Sequence, residues 1–431
     1  MLVTVAAVMC ERNAGADQTT MSMSSTPSFL SAPRKVRWRG WLFQIHLWTG
    51  LILGLVVGVV SLTGAIVVFR YELNRLTVPG TAYVMPQAER LSIDELTRRI
   101  QAARPNDRLV QVSWEAGPGT AWNYRTQSPD GHRIHTFINQ YTGEITGQEN
   151  YQYKILQWIF DLHAYLLGGA TGTFLNGFVG LAAVLLSITG LVVWWPGLAH
   201  WRFGFRYLWG ARWPRQNYDI HKVIGFYASL AVAFVSITGV YFSFPNLYSR
   251  WAARLTGTEV WNAAPRAESN WTDRTRPIED FIRTAEAAQP GASSISLRFP
   301  QAPGEPVTVR TKEPRDWHRI GLNYVYLEPA DAGIVRNQRF STSPLGTQII
   351  QLMYPLHFGR FGGLWGTVPF YGVMVVYVLI GLAPFVLMIT GQLMYWNRSF
   401  SKKWRRWRVA ESGRHRVPHA VSAVSEARFT E

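Results

Sequence analysis

Residues 46–64 read HLWTGLILGLVVGVVSLTG, an uncharged run that opens on a histidine and closes on Thr-Gly. The same close recurs as SITG at 187–190, SITG at 236–239 and MITG at 388–391. Each lies in an apolar window: Trp41 to Phe69, Leu175 to Trp195, Val223 to Phe244, and Val368 to Trp396. A window of about twenty apolar residues crosses about 30 Å of hydrocarbon as a helix. The four windows therefore predict a membrane α-helical protein with four transmembrane helices.

The rest of the 431-residue chain is more polar, and mean hydropathy over the whole is close to zero. That balance fits a protein that is part membrane and part soluble. Lys and Arg concentrate in short flanks: Arg34, Lys35, Arg37 and Arg39 before the first window, and Arg202, Arg206, Arg212 and Arg215 between the second and third. Arg398, Lys402, Lys403, Arg405, Arg406 and Arg408 follow the fourth. Positive flanks stay on the cytoplasmic side. Both termini are thus expected inside, with the long segments 70–160 and 245–356 on the periplasmic side of a bacterial inner membrane. The net charge of +16 follows from these flanks and from contact with anionic lipid, and no nucleic-acid recognition module surrounds them.

A lone cysteine, Cys10, excludes an internal disulfide and a Cys-ligated cluster. The apolar MLVTVAAV before it hints at a signal segment. Initiation near Met21 or Met23 is an equal reading, and residues 1–33 are expected to be disordered.

An internal repeat organises what remains. A shift of 175 residues lays His46 on His221, and with it Gly50 on Gly225, Thr63-Gly64 on Thr238-Gly239 and Phe69 on Phe244. A shift of 194 lays Gln157 on Gln351, His163 on His357 and Gly168-Gly169 on Gly362-Gly363. The soluble segments repeat as well. Ser92-Ile93-Asp94-Glu95 reads as a capping box opening a helix to about Ala103, followed by strand-like RLVQVSWEA and TAWNYRTQ and the turn INQYTGEITG. RPIEDFIRTAEAAQPG, SISLRF, PVTVRT and YLEPADAGIV restate that order, with Asp331-Ala332-Gly333 where the Thr-Gly turn stood. The expected architecture is a duplicated helix–module–helix arrangement carrying two periplasmic α+β modules.

The boundaries are a disordered 1–33, helix one at 34–70, a first module at 71–152, and an approach plus helix two at 153–196. A cytoplasmic link at 197–220, helix three at 221–245 and a second module at 246–346 follow. An approach plus helix four at 347–397 and a basic tail at 398–431 complete the chain.

Histidine placement carries the functional reading. His46 and His221 sit at the inner ends of two copied helices, and His163 and His357 on the outer approaches to the other two. Bis-imidazole ligation of iron needs two neutral rings at one depth, and each repeat supplies one member of each pair. Eighteen residues separate His46 from Gly64, and likewise His221 from Gly239: five helical turns, one face, about 27 Å. Those glycines either admit a macrocycle or simply let helices approach closely, and both readings stand. The Thr hydroxyls are expected to bond back to their own helix. His200, His415 and His419 suit ordinary solvated roles, His132, His135 and His318 either face substrate or lie on exposed strand, and the 19 Trp mostly suit interface belts.

These motifs together resemble the PepSY-associated transmembrane proteins, which include inner-membrane ferric-siderophore reductases and iron-regulated membrane proteins. The resemblance runs from about residue 36 to 400 and rests on HLWTGLILG with SLTG, INQYTGEITG, DLHAYLLGG with SITGLVVWWPG, HKVIGFYASL with SITG, and YPLHFGRFGG with MITG. It implies PepSY-like modules and, for the reductase branch, two haems carrying electrons outward to iron. The departure at 331–333 leaves a ligand role shared by both modules unsupported.

The combined expectation is a dihaem oxidoreductase reducing a periplasmic ferric siderophore to Fe(II). Two b-type haems would have His46, His221, His163 and His357 as axial ligands, with Gly50, Gly64, Gly225 and Gly239 beside them. No dinucleotide fingerprint or P-loop is present, so electrons must come from a cytoplasmic flavin or reductase partner or from membrane quinol. The four windows contain no carboxylate or lysine of the kind that marks an ion pathway. The alternatives are a siderophore permease component and a haem-free, membrane-anchored binding or regulatory protein.

Overall fold

The computed structural model describes residues 29–77, 79–114, 117–150, 154–316, 318 and 321–399. Cys10, the candidate start methionines and all of the basic tail beyond Ser399 lie outside the described residues.

The chain enters the bundle through α1 (Arg37–Ile52) and α2 (Gly54–Val67), two helices bent by 64° at Leu53. Two short helices, α3 (Arg70–Leu76) and α4 (Pro79–Ala82), lead to α5 (Ile93–Ala103) and strands β1 (Arg108–Ser113), β2 (Trp122–Gln127), β3 (Arg133–Ile138) and β4 (Ile145–Asn150). After them come α6 (Ile155–Tyr165), α7 (Gly169–Trp194), α8 (Trp213–Ser243) and α9 (Pro245–Thr256). The second half adds α10 (Ile278–Ala288), β5 (Ser293–Arg298), β6 (Val307–Lys312), β7 (Asn323–Leu327), β8 (Ile334–Gln338), α11 (Leu345–Phe358) and α12 (Thr367–Ser399).

Three helices, α7, α8 and α12, are each long and apolar enough to cross a membrane, and the bent pair α1–α2 makes a fourth span when taken as one. The repeat predicts two equivalent helices, yet α8 is continuous over 31 residues where α1–α2 is broken. The difference lies in the residues. Gly54 and Gly58 of the first copy stand where the second has Ser229 and Ala233, and glycine weakens a helix interior. Gly58 also takes the Met388 side chain of α12 so closely that an added Cβ would lie 3.0 Å from Cε. The straight 27 Å run expected between His46 and Gly64 is therefore lost, while His221 and Gly239 keep theirs on α8.

The two predicted modules share one antiparallel sheet of order β4-β3-β2-β1-β5-β6-β7-β8. Their joint is the pairing of β1 with β5, where Val112 faces Leu297 and Ser113 faces Ser296. Helices α5 and α10 cover one face of it. Ile93, Leu96, Ile100, Phe281, Ile282 and Ala285 from the helices meet Val112, Tyr124, Leu297, Val309 and Val325 from the strands in one buried core. Each large side chain fully buried there contributes about 1.5–3 kcal/mol.

The helices also cap each other across the duplication. The Asp94 carboxylate accepts from Ile278 N at 2.8 Å and Glu279 N at 3.0 Å, while Glu279 accepts from Ile93 N at 3.1 Å. Carboxylates at these N-termini satisfy otherwise unpaired N–H groups and favour the helix dipole. Ser92 caps α5 as expected, accepting from Glu95 N at 3.2 Å. The hairpin turns differ in the predicted way: Gly143 has φ +70°, and Ala332 occupies the same left-handed position at φ +64°.

Candidate functional site: two histidine pairs in the bundle

Four helices each present a histidine to the Thr-Gly of another. At the end of the bundle away from the sheet, the imidazole of His46 on α1 lies against α7, with Nδ1 3.0 Å from Thr189 Oγ1. His221 on α8 lies in the same way against α12, with Nδ1 2.8 Å from Thr390 Oγ1. Each Thr hydroxyl donates its one proton to its own helix, to Leu185 O at 2.6 Å and Val386 O at 2.8 Å. Oγ1 must then accept, so both rings carry their proton on Nδ1. The following glycines keep the seat open: a Cβ at Gly190 or Gly391 would stand 3.2 or 3.4 Å from the ring Cε1 of His46 or His221.

Nearer the sheet, α6 and α11 tuck beside α2 and α8 instead of lying above them. His163 Nδ1 reaches Val60 O at 2.8 Å, and His357 Nδ1 reaches Val235 O at 3.0 Å with Thr238 Oγ1 at 3.3 Å. A carbonyl only accepts, so these rings too are Nδ1–H tautomers. Here the glycine clearance is tighter. A Cβ at Gly64 would lie 2.8 Å from His163 Cε1, and one at Gly239 2.7 Å from His357 Cε1. The clearance, which the sequence left open to a macrocycle or to close helix packing, faces an imidazole in both places.

The four rings form two pairs. His46 and His221 have centroids 6.4 Å apart with planes at 85°, and His163 and His357 have centroids 6.1 Å apart with planes at 25°. A ring nitrogen lies about 1.2 Å from its centroid and a metal–imidazole bond is about 2 Å, so two rings on one metal have centroids about 6 Å apart. Ordinary aromatic pairs also fall at about 4.5–7 Å. The tautomers separate the two cases, because all four Nδ1–H groups are committed to the helices behind them and Nε2 of each ring stays outside those bonds. Such bonds from the second ring nitrogen orient a ligating imidazole and raise its basicity. Among the described residues, no group of three or more His, Cys, Asp and Glu side chains gathers for a metal. Two imidazoles per site suit an iron whose remaining ligands belong to a macrocycle, and the residues present fit haem in both places.

Gly50 and Gly225, also singled out in the sequence, sit one turn beyond His46 and His221 and face leucines instead, with Leu186 Cδ2 and Leu387 Cδ2 each 3.7 Å from an added Cβ. Among the described residues, the four other histidines stay apart from the pairs. His135 lies on β3 beside Asn123 and His318 is buried near Phe340, while His415 and His419 fall outside the described residues.

The sequence reading did not see that the Thr side chains serve the histidines of neighbouring helices; the recurrence of Thr-Gly in four helices was the available signal. The expected third span, 221–245, overlaps a longer helix. Helix α8 begins at Trp213 and so includes Asp219, fully buried and held by Lys222 at 2.9 Å and Arg215 at 3.1 Å. Asn217 beside it donates to Thr390 O at 2.9 Å, fixing the helix end that seats His221.

Comparison with known proteins yields one family model, described as the PepSY-associated TM region, which matches residues 43–398. No curated protein matches the chain.

Proposed function

The chain belongs to the PepSY-associated TM family, and on that premise we propose that it is an inner-membrane dihaem oxidoreductase. In this reading it reduces a periplasmic ferric siderophore and so releases iron as the less tightly held Fe(II). The observation that carries the reading is the pair geometry: two sets of imidazoles with centroids 6.4 and 6.1 Å apart, each ring held through Nδ1 by the helix behind it.

Two b-type haems, one per pair, supply one-electron transfer when bound. They are non-covalent, since the chain has no Cys-x-x-Cys-His. His46 and His221 hold the site beside the basic flanks, which the positive-inside tendency assigns to the cytoplasm. His163 and His357 hold the site beside the sheet, hence on the periplasmic side. Thr189 and Thr390, with the Val60 and Val235 carbonyls, keep the rings oriented and neutral. From His221 to Gly239 on the unbroken α8 is about 27 Å, so the two sites lie near opposite faces of the hydrocarbon. The electron enters from a cytoplasmic flavin or reductase partner or from quinol.

The test is one-sided re-oxidation in vesicles of known orientation. Prereduced protein should be re-oxidised by a ferric siderophore added on the sheet side, seen as a Soret shift in stopped flow. His357→Ala should block this while the other haem remains reducible from the opposite face. Equal rates with substrate confined to the opposite side would remove the outward route.

A further inference from the structure

The sheet has a second face, opposite α5 and α10, and its charge is one-sided. Directly paired residues on neighbouring strands share a face. One such row crosses the whole sheet from Glu149 on β4 through Arg125 and Arg298 to Arg336 on β8. Arg133 and Arg310 stand two residues along their strands from this row, on the same face. Across all eight strands there are seven Arg and Lys residues, and Glu149 is the one carboxylate. That carboxylate is already paired with Lys154 at 2.6 Å.

The face is shielded as well as basic. Arg125 is partly buried, and its Nε has no hydrogen-bond partner. The same guanidinium donates through its other end to Gln111 Oε1, in the same row of the sheet, which holds it on this face. Arg70, at the start of α3 where the first span ends, adds to the positive field. Burial, then Arg125, Arg70 and Arg133, push the His135 pKa down to about 3. Tyr324, part-exposed, and Tyr326, buried, hold two of the cations in place, with Arg310 5.3 Å from the first ring and Arg336 6.0 Å from the second.

We propose that this face binds a soluble anionic iron chelate, one whose iron is held by carboxylate or catecholate groups and whose net charge is negative, through Arg125, Arg298 and Arg310. The choice of a chelate as the anion rests on the reductase reading; the preference for negative charge rests on the face itself. Guanidinium forks match paired carboxylate oxygens. Anionic lipid headgroups share this chemistry. They are disfavoured because a sheet lying on lipid would present freely hydrated cations, whereas Arg125 and His135 are partly withdrawn from water.

The test measures equilibrium binding of gallium(III) citrate to the full chain in phosphatidylcholine nanodiscs, with a neutral gallium trihydroxamate as comparison. Gallium is redox-inert, so binding is read whether or not haem is present. Gallium citrate should bind at least about tenfold more tightly than the neutral complex, and binding should weaken steeply with salt. Arg298→Gln with Arg310→Gln should cost about tenfold. Arg298→Gln alone, at an exposed position, should weaken binding in a chain whose folding is undisturbed. Equal affinity for the two complexes, or unchanged citrate binding in the variants, overturns the proposal. So does a variant effect confined to phosphatidylglycerol vesicles. Citrate binding by protein that carries no haem supports the site and removes the reductase reading.

Discussion

His163 and His357 stand 6.1 Å apart, and behind each ring a helix glycine allows no Cβ: one at Gly64 or Gly239 would come within 2.8 or 2.7 Å of the imidazole. Each glycine belongs to the same repeat as the histidine it seats, while the two histidines belong to different repeats. Seating is therefore internal to a repeat, and pairing joins the two.

Gly64→Ala and Gly239→Ala should displace the imidazoles of the pair nearer the sheet. Loss or high-spin conversion of one haem by absorbance is expected from either. Gly190→Ala and Gly391→Ala, with 3.2 and 3.4 Å available, should be milder. Effects in the reverse order would show that the glycines serve helix packing alone.

Thr189→Val and Thr390→Val remove the acceptor for Nδ1–H of His46 and His221 while keeping the shape. A loss of about 10–100-fold in haem retention at that pair is expected, measured by haem transfer to an apo-globin acceptor. Thr63→Val should leave His163 in place, because its Nδ1 bonds to Val60 O and Thr63 donates to Val59 O and Val60 O. Equal losses from Thr63→Val and Thr189→Val would contradict this division.

Much of this arrangement could be read from the residues. Shifts of 175 and 194 lay the histidines and the Thr-Gly pairs of one repeat on those of the other, which marks His46 and His221, and His163 and His357, as equivalent positions but leaves the exact pairing open. Which Thr-Gly seats which histidine was not legible, since helix contacts between α1 and α7 or α8 and α12 leave no periodic signature. The bend at Leu53 turned on Gly54 and Gly58, whose effect depends on the Met388 contact from a distant helix. The joining of the two modules was hidden for another reason: β1 and β5 pair through backbone groups, which every strand edge offers alike. The crossed caps of Asp94 and Glu279 looked in sequence like ordinary first-turn acids.

The sheet should lose stability in mild acid. Burial, with nearby cationic side chains, holds the His135 pKa at about 3 and the His318 pKa at about 4. Both folded values lie below the unfolded value near 6.5, so the folded state prefers the neutral rings. Their contribution is complete above about pH 6.5 and is lost as pH falls toward about 4, with a slope of up to about 1.4 kcal/mol per pH unit for each ring. Hydrogen exchange of β3 and β7 amides between pH 7 and 4.5 measures it. His135→Gln should flatten the profile, and a variant with the parent's slope would exclude this histidine.

Asp94→Asn and Glu279→Gln weaken the crossed caps. Each should cost about 0.5–2 kcal/mol in the stability of the sheet domain, read by denaturant unfolding followed through tryptophan fluorescence. The double variant should be less than additive, since each carboxylate caps the helix that carries the other. Full additivity would mean that the two caps act separately.

The central claim is that each histidine pair is one haem site, and a haem-to-chain ratio with a reduced-minus-oxidised spectrum tests it most directly. Purified protein should contain two b-type haems per chain by pyridine haemochrome. His46→Ala or His221→Ala should remove one, and His163→Ala or His357→Ala the other, leaving one low-spin spectrum in each case. Folded, membrane-embedded protein without haem, or the loss of both haems from every single variant, would contradict the account.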